Sequence, residues 1–149
     1  IWRQSEKCAL AASLVAPTMH ANAFDAYLAG LMANVGLVVA FRLIDQMHGP
    51  DAFPQSDAFI AQVFAQARIL SVRIAELWEF PQSVTRAIGQ AGVDANADPQ
   101  AQALALGERL SKLRMLADSG RFPADDPFVT TGLGKSELLA FGKLADDDE

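Results

Sequence analysis

Histidine and cysteine are almost missing from this chain of 149 residues, which holds two His and one Cys. A single Cys excludes a disulfide framework and a cysteine-only zinc site, and three such residues are too few for most multi-ligand metal centres. Basic charge is also scarce: twelve Lys+Arg stand against eighteen Asp+Glu, a formal net charge of −6. Without a basic field to gather phosphates, nucleic acid and anionic membranes are not expected partners. The longest apolar stretch, Tyr27 to Phe41, is interrupted by Asn34, Gly30 and Gly36 and followed by Arg42 and Asp45. A spanning helix needs about 20 apolar residues, so this stretch reads as a buried core helix. The opening residues Ile1-Trp2-Arg3-Gln4 carry no basic segment followed by an apolar one, so no export signal is read there. They also lack Met and start with a helical pattern already running, which leads us to expect a fragment cut inside or just before a helix of a larger protein. Alternation with period two is missing over any useful length, which argues against strands.

What is present is the material of a folded domain. Hydrophobic residues make up 51% and charged residues 20%, which excludes a disordered chain. The spacing predicts six or so helices in one all-α domain over residues 1–145, with an acidic tail at 146–149. The first apolar-periodic segment runs from Ile1 to Ala16 and stops at Pro17, and His20 to Ala23 form a turn. Asn22 and Asp25 have the spacing of an N-cap and an N3 acid, so one helix is expected from Ala23 to about Gln46, before His48-Gly49-Pro50. Pro50 and Pro54 give an irregular connection, and Ser56 or Asp57 can cap the next helix. Phe59, Val63, Ala67, Leu70, Ile74 and Leu77 recur at threes and fours, with room for a bend near Gln66 to Arg68. Pro81 suits the first turn of a helix carrying Val84, Ala87 and Ile88 that stops at Gly92. Residues Asp94 to Asp98 are turn-like. Pro99 opens a long helix to Ser119 with Gly120 as its stop, Arg121 to Gly134 is loop-like, and Ser136 to Leu144 form a short last helix.

The residues that could carry chemistry have mostly bland explanations. His20 and His48 sit beside turns, with no second His or Asp at ligand spacing. Cys8 lies among Ala9, Ala11 and Ala12, where a thiol packs as a small hydrophobe and nothing local lowers its pKa. Ser13, Ser71, Ser83 and Ser136 have no nucleophile-elbow setting. Gly132-Leu133-Gly134-Lys135-Ser136 matches the end of a phosphate loop, but Val129 stands where its first glycine is required. A loop leading to a helix capped near Ser136 explains it better. Gly30 and Gly36, with Ala29 and Ala33, offer a small-residue face for a close helix approach. Asn34 is the odd polar residue among Leu31, Val35 and Val38, and must find a partner if buried. In Trp78-Glu79-Phe80-Pro81 the indole is expected to close the core at a sharp helix–helix corner.

Taken in order, four of these segments resemble the HDOD domain, a degenerate relative of the HD and HD-GYP metal-dependent phosphohydrolases. Trp2-Arg3-Gln4-Ser5 with Cys8-Ala9 resembles that family's Trp-Arg-His-Ser helix. Tyr27 to Gly36 (Tyr-Leu-Ala-Gly-Leu-Met-Ala-Asn-Val-Gly) is similar to its Phe-Leu-Ala-Gly-Leu-Leu-His-Asp-Ile-Gly helix. Ala67 to Trp78, leading into Trp78-Glu79-Phe80-Pro81, resembles the approach to Trp-x-Leu-Pro, and Val84, Ala87 and Ile88 fit the Ile-x-x-Ala-Ile that follows. The likeness covers about residues 1 to 92. The departures fall on the metal ligands: Gln4 replaces His, Ala33-Asn34 replace the His-Asp pair, Ala67 replaces a His, and Ala91-Gly92 replace His-His. Ala and Gly supply no ligand, and Gln and Asn only weak neutral ones.

The resemblance therefore implies a non-catalytic helical module of a bacterial, cytoplasmic signalling protein, regulating through contacts with other protein domains. No metal, cofactor or catalytic residue is expected. The family usually has a helical region before its Trp-Arg-His-Ser helix. The chain is thus expected to be the later part of the domain or a divergent member, and association with a second copy could cover what is left open. Two other readings stay open. One is a phosphohydrolase whose ligands come from Asp25, Asp45, His48 and Glu76. The other is a small-ligand module using the vestigial metal pocket beside Gln4 and Asn34.

Overall fold

Helix ends in this chain are set by side chains that satisfy the orphan amides of a first turn. Asn22 Oδ1 accepts from the Asp25 N–H at 2.9 Å, Ser56 Oγ from Phe59 N–H at 3.2 Å, and Asp98 Oδ1 from Ala101 N–H at 3.0 Å. The computed structural model describes residues 2–48, 56–91, 93, 98–120 and 133–145. The side chains of Trp2, His48 and Ser136 fall outside that description, as do the expected Pro50/Pro54 connection, the Gly92 stop, most of the turn before Asp98, residues 121–132 and the acidic tail. Among the described residues the fold is all-α, with no strand. The helices are α1 (Trp2–Val15), a single 3-10 turn (Ala16–Met19), α2 (Ala23–Met32), α3 (Val35–His48), α4 (Asp57–Leu77), α5 (Gln82–Gln90), α6 (Pro99–Asp118) and α7 (Lys135–Lys143).

Four boundaries differ from expectation. The single helix expected over Ala23–Gln46 is two, broken at Ala33-Asn34. α4 is continuous through Gln66–Arg68. Pro81 is the N-cap of α5 rather than its first residue. α7 begins two residues earlier than a Ser136 cap would allow: Gly134 is its N-cap, and the Gly134 N–H donates to Glu137 Oε2 at 3.1 Å. Gly120 ends α6 at φ +81°, as the pattern requires.

The corner after α4 is also built differently. Glu79 sits at φ 59°, its N–H donates to the Glu76 carbonyl, and the Phe80 N–H donates to Ala75, both at 3.0 Å. This is a Schellman close with a non-glycine residue in the left-handed position. It turns Phe80 toward the core and leaves Trp78 60% exposed. The indole does not close the core, because a residue at the helix cap points past the end of the packed face.

α1 is the central element, packed most extensively on α2 and α6. The backbones meet closely at small residues. A Cβ on Gly30 would lie 2.6 Å from Ala9 Cα, and one on Gly107 2.8 Å from the Ala12 amide nitrogen. Around this junction lie two apolar clusters. One is built on Cys8, Ala29, Ala33, Val84, Ile88 and Leu104, the other on Val15, Ala26, Leu110, Phe141 and Leu144. α7 is anchored to the second by Phe141 beneath the Arg114 guanidinium, and by Lys7 Nζ donating to the Leu144 carbonyl at 2.6 Å.

α3 and the first half of α4 form a hairpin at the edge of this body, while the second half of α4 packs on α5 and places Ala75 in the first cluster. α3 packs chiefly on α4, and its outer stripe Val39, Leu43, Met47 is exposed, Met47 by 76%. The expected buried core helix is thus half right: α2 is core and α3 is not. The stretch Ala23–Met47 and α4 are both long and apolar enough to cross a membrane by length and composition, with mean hydropathies of 1.8 and 1.3. The first is two helices with a break between them, and α4 carries Arg68, Arg73 and Glu76.

Candidate functional site

The hairpin meets the body at its base, and two of the altered ligand positions, Gln4 and Asn34, lie beside this junction. Gly36 in the first turn of α3 has no room for a Cβ, which would collide with the Ala67 carbonyl and with Ser71. The Gly36 N–H donates to Ser71 Oγ at 2.9 Å, and that hydroxyl donates in turn to the Ala67 carbonyl at 3.0 Å. An otherwise orphaned amide of α3 is thereby satisfied inside the interface. Packing therefore explains Gly30 and Gly36, as their spacing suggested.

Beside this contact opens a cleft of about 400 Å³ between the hairpin and the α1/α6 face. That volume lies within the ~300–1,000 Å³ common for small-molecule sites. Gln4 of α1 and Asn34 at the helix break line it, so of the altered positions among the described residues (Gln4, Ala33, Asn34, Ala67 and Ala91) two converge here. Ala33, 2% exposed, and Ala91, 7% exposed, lie instead in the buried apolar cluster. Ala67 is buried at the hairpin contact. The Asn34 side chain is half-buried and makes no hydrogen bond with another described residue. Its backbone carbonyl does the structural work, accepting from the Leu37 and Val38 N–H groups at 3.1 and 3.4 Å.

The rest of the wall was not foreseen. Leu37, Phe41 and Phe64 supply the apolar side. Arg68, Glu108, Ser111 and Lys112 supply a polar one. Arg68 Nη2 pairs with Glu108 Oε1, and Ser111 Oγ donates to the Glu108 carbonyl at 2.9 Å. Arg68 Nη1 is the one buried side-chain nitrogen or oxygen without a hydrogen-bond partner among the described residues. The signal that could have found this wall is local. Arg68 follows the core-facing Ala67 directly, and Glu108 follows Gly107, so each charge flanks a small residue pressed against a neighbouring helix.

Cys8 lies behind the cleft. Burial, helped by the charge of Glu108, pushes its thiol from an ordinary 9.0 up to about 12. It stays a neutral thiol at physiological pH, in keeping with a packing role.

The donor set does not suit the divalent cation of HD-type enzymes. The cleft offers two neutral amides, one carboxylate already held by an arginine, and a second cation in Lys112. Metal-assisted hydrolysis needs imidazole or free carboxylate ligands that leave an open position. The other candidate ligands lie on different elements. Asp25 accepts from Ser83 Oγ at 2.9 Å beside the start of α2, Asp45 is exposed on α3, and Glu76 faces a separate hollow with Val72 and Arg86. Among the described residues no group of three or more His, Cys, Asp or Glu is placed to hold a metal ion.

Helices alone, a two-helix hairpin laid on a small-residue core, and a cleft lined by Gln4 and Asn34 define an all-α domain. The HDOD domain family model matches residues 1–92, and the chain belongs to that family. Comparison with curated proteins and with solved structures gave no match. The match ends before α6, yet α6 packs along α1 and contributes Glu108, Ser111 and Lys112 to the cleft.

Proposed function

We propose that this chain is a non-catalytic regulatory module of a cytoplasmic signalling protein, acting through contacts with other proteins. The observation that carries this reading is the exchange of chemistry at the cleft: Gln4 and Asn34 stand at family metal positions, beside Arg68 and Lys112. Two cations repel a metal ion and leave no base to activate water. The exposed apolar stripe of α3 supports contact as the mode of action, since a surface stripe of this kind is a common docking face. A phosphohydrolase assay tests it. Purified chain supplied with Mn²⁺, Fe²⁺ or Zn²⁺ is expected to release no phosphate from nucleotide or dinucleotide esters above the protein-free rate. Turnover that disappears on changing Asp25, Asp45 or Glu76 to alanine would overturn it and restore the enzyme reading.

A further inference from the structure

α7 is lightly held. It has nine residues, and isolated helices shorter than ~12–15 residues are marginal in water, so its helical form depends on the surface it lies against. Ala140, Phe141 and Leu144 are buried there, while Leu138 and Leu139 face solvent, Leu139 by 62%. No described helix follows it, so it can leave without pulling another with it. The surface it covers belongs to α1 and α6, whose Val15 and Leu110 share its apolar cluster. Two cations of that surface secure it. Arg114, paired with Asp118 at 2.7 Å, lies 4.8 Å over the Phe141 ring. Lys7 Nζ, 3.8 Å from Asp118, donates to the Leu144 carbonyl at the helix C-terminus, where positive charge is favourable. Asp118 itself belongs to α6, so it keeps Lys7 and Arg114 in place whether or not α7 is seated.

We propose that α7 is a removable cover, and that the α1/α6 face beneath it is a docking site for an amphipathic helix of a partner protein. The seated α7 shows what such a helix must carry: an aromatic residue to lie under Arg114, a leucine three positions later, and a C-terminal carbonyl to meet Lys7. Each of these is a feature of helix type rather than of this chain, so a partner helix with the same pattern competes for the same surface. Cover and partner are mutually exclusive, which makes α7 an internal inhibitor of the contact. The inference rests on the reading of the chain as a module that works by contact, and it names the surface and the partner's form. Its failure would leave that reading standing, since phosphate release tests the latter separately.

Hydrogen exchange and a peptide titration of the full chain test it. The amides of α7 are expected to exchange at least about tenfold faster than those of α1 and α6, the mark of a separate opening. Phe141→Ala loosens the cover; exposed Leu139→Ala is the control and leaves exchange unchanged. The probe is a synthetic peptide of residues 134–145, added to each ¹⁵N-labelled chain. Saturable shifts of the Val15 and Leu110 amides are expected, at a peptide concentration at least about tenfold lower for Phe141→Ala than for the unaltered chain, because the open state is the one that binds. A peptide carrying both Phe141→Ala and Leu144→Ala is expected to give none. Equal exchange in α7 and the body would overturn the proposal. So would loss of protection throughout the Phe141→Ala chain, since a cover must leave a folded body behind. Absence of peptide binding to a Phe141→Ala chain that stays folded, or its dimerisation before peptide is added, which assigns the face to a second copy, would overturn it as well.

Discussion

Where α1 crosses α2 and α6, backbone meets backbone through Gly30, Ala9, Gly107 and Ala12, and Leu104 and Leu110 beside the crossing are fully covered. In the α3–α4 hairpin a comparable approach occurs at the base, where Gly36 meets Ala67 and Ser71. Beyond it Leu43, Met47 and Phe64 are more than half exposed. Close approach excludes solvent and leaves side chains one arrangement. The looser hairpin leaves a cleft and an apolar face. The two regions use the same residue types, so the difference lies in how many helices surround each stripe.

The sharpest way to break this comparison is to change one leucine in each region. Leu110→Ala, in the body, is expected to cost about 2–5 kcal/mol in denaturant unfolding, the sum of lost transfer energy and an unfilled cavity. Leu43→Asp, on the hairpin's outer face, is expected to change stability by no more than about 0.5 kcal/mol. Equal losses would show that the stripe on α3 is as much core as the body.

The base of the hairpin comes next. Ser71→Ala leaves the Gly36 N–H without its acceptor in a buried contact, an expected loss of about 1–3 kcal/mol. Hydrogen exchange separates the regions here: α3 amides should exchange faster while those of α1 and α6 keep their protection. Uniform loss of protection would mean that hairpin and body unfold as one unit.

One further effect has the opposite sign. Glu79 holds a left-handed conformation that glycine adopts without strain, so Glu79→Gly is expected to stabilise the chain by about 1 kcal/mol in thermal unfolding. A loss would mean that the Glu79 side chain contributes something the Schellman turn does not require.

Much of the fold was legible because it rests on local chemistry. Asn22, Ser56, Asp98, Pro99 and Gly120 act within one turn of where they stand, and the 3.6-residue period of α4 and α6 needs no partner to be read. What was illegible depends on neighbours. Continuous apolar character hid the break at Ala33-Asn34, which the contact of Gly36 with α4 accompanies. The exposure of Trp78 follows from a left-handed Glu79, a conformation that residue type does not announce. At the site, the lost ligands at Gln4 and Asn34 were readable against the family pattern. Arg68 and Lys112 were not, because ordinary spacing on a helix gives a cation no mark until α3, α4 and α6 are placed together.

The central proposal is that the cleft, with the amides of Gln4 and Asn34 beside Arg68 and Lys112, holds no catalytic metal. Metal analysis of the chain, purified without chelator and dialysed after incubation with Mn²⁺, Fe²⁺ and Zn²⁺, addresses it most directly. Well under one ion per ten chains is the expected content; one tightly held ion per chain, lost on changing Asn34 or Glu108 to alanine, would contradict it.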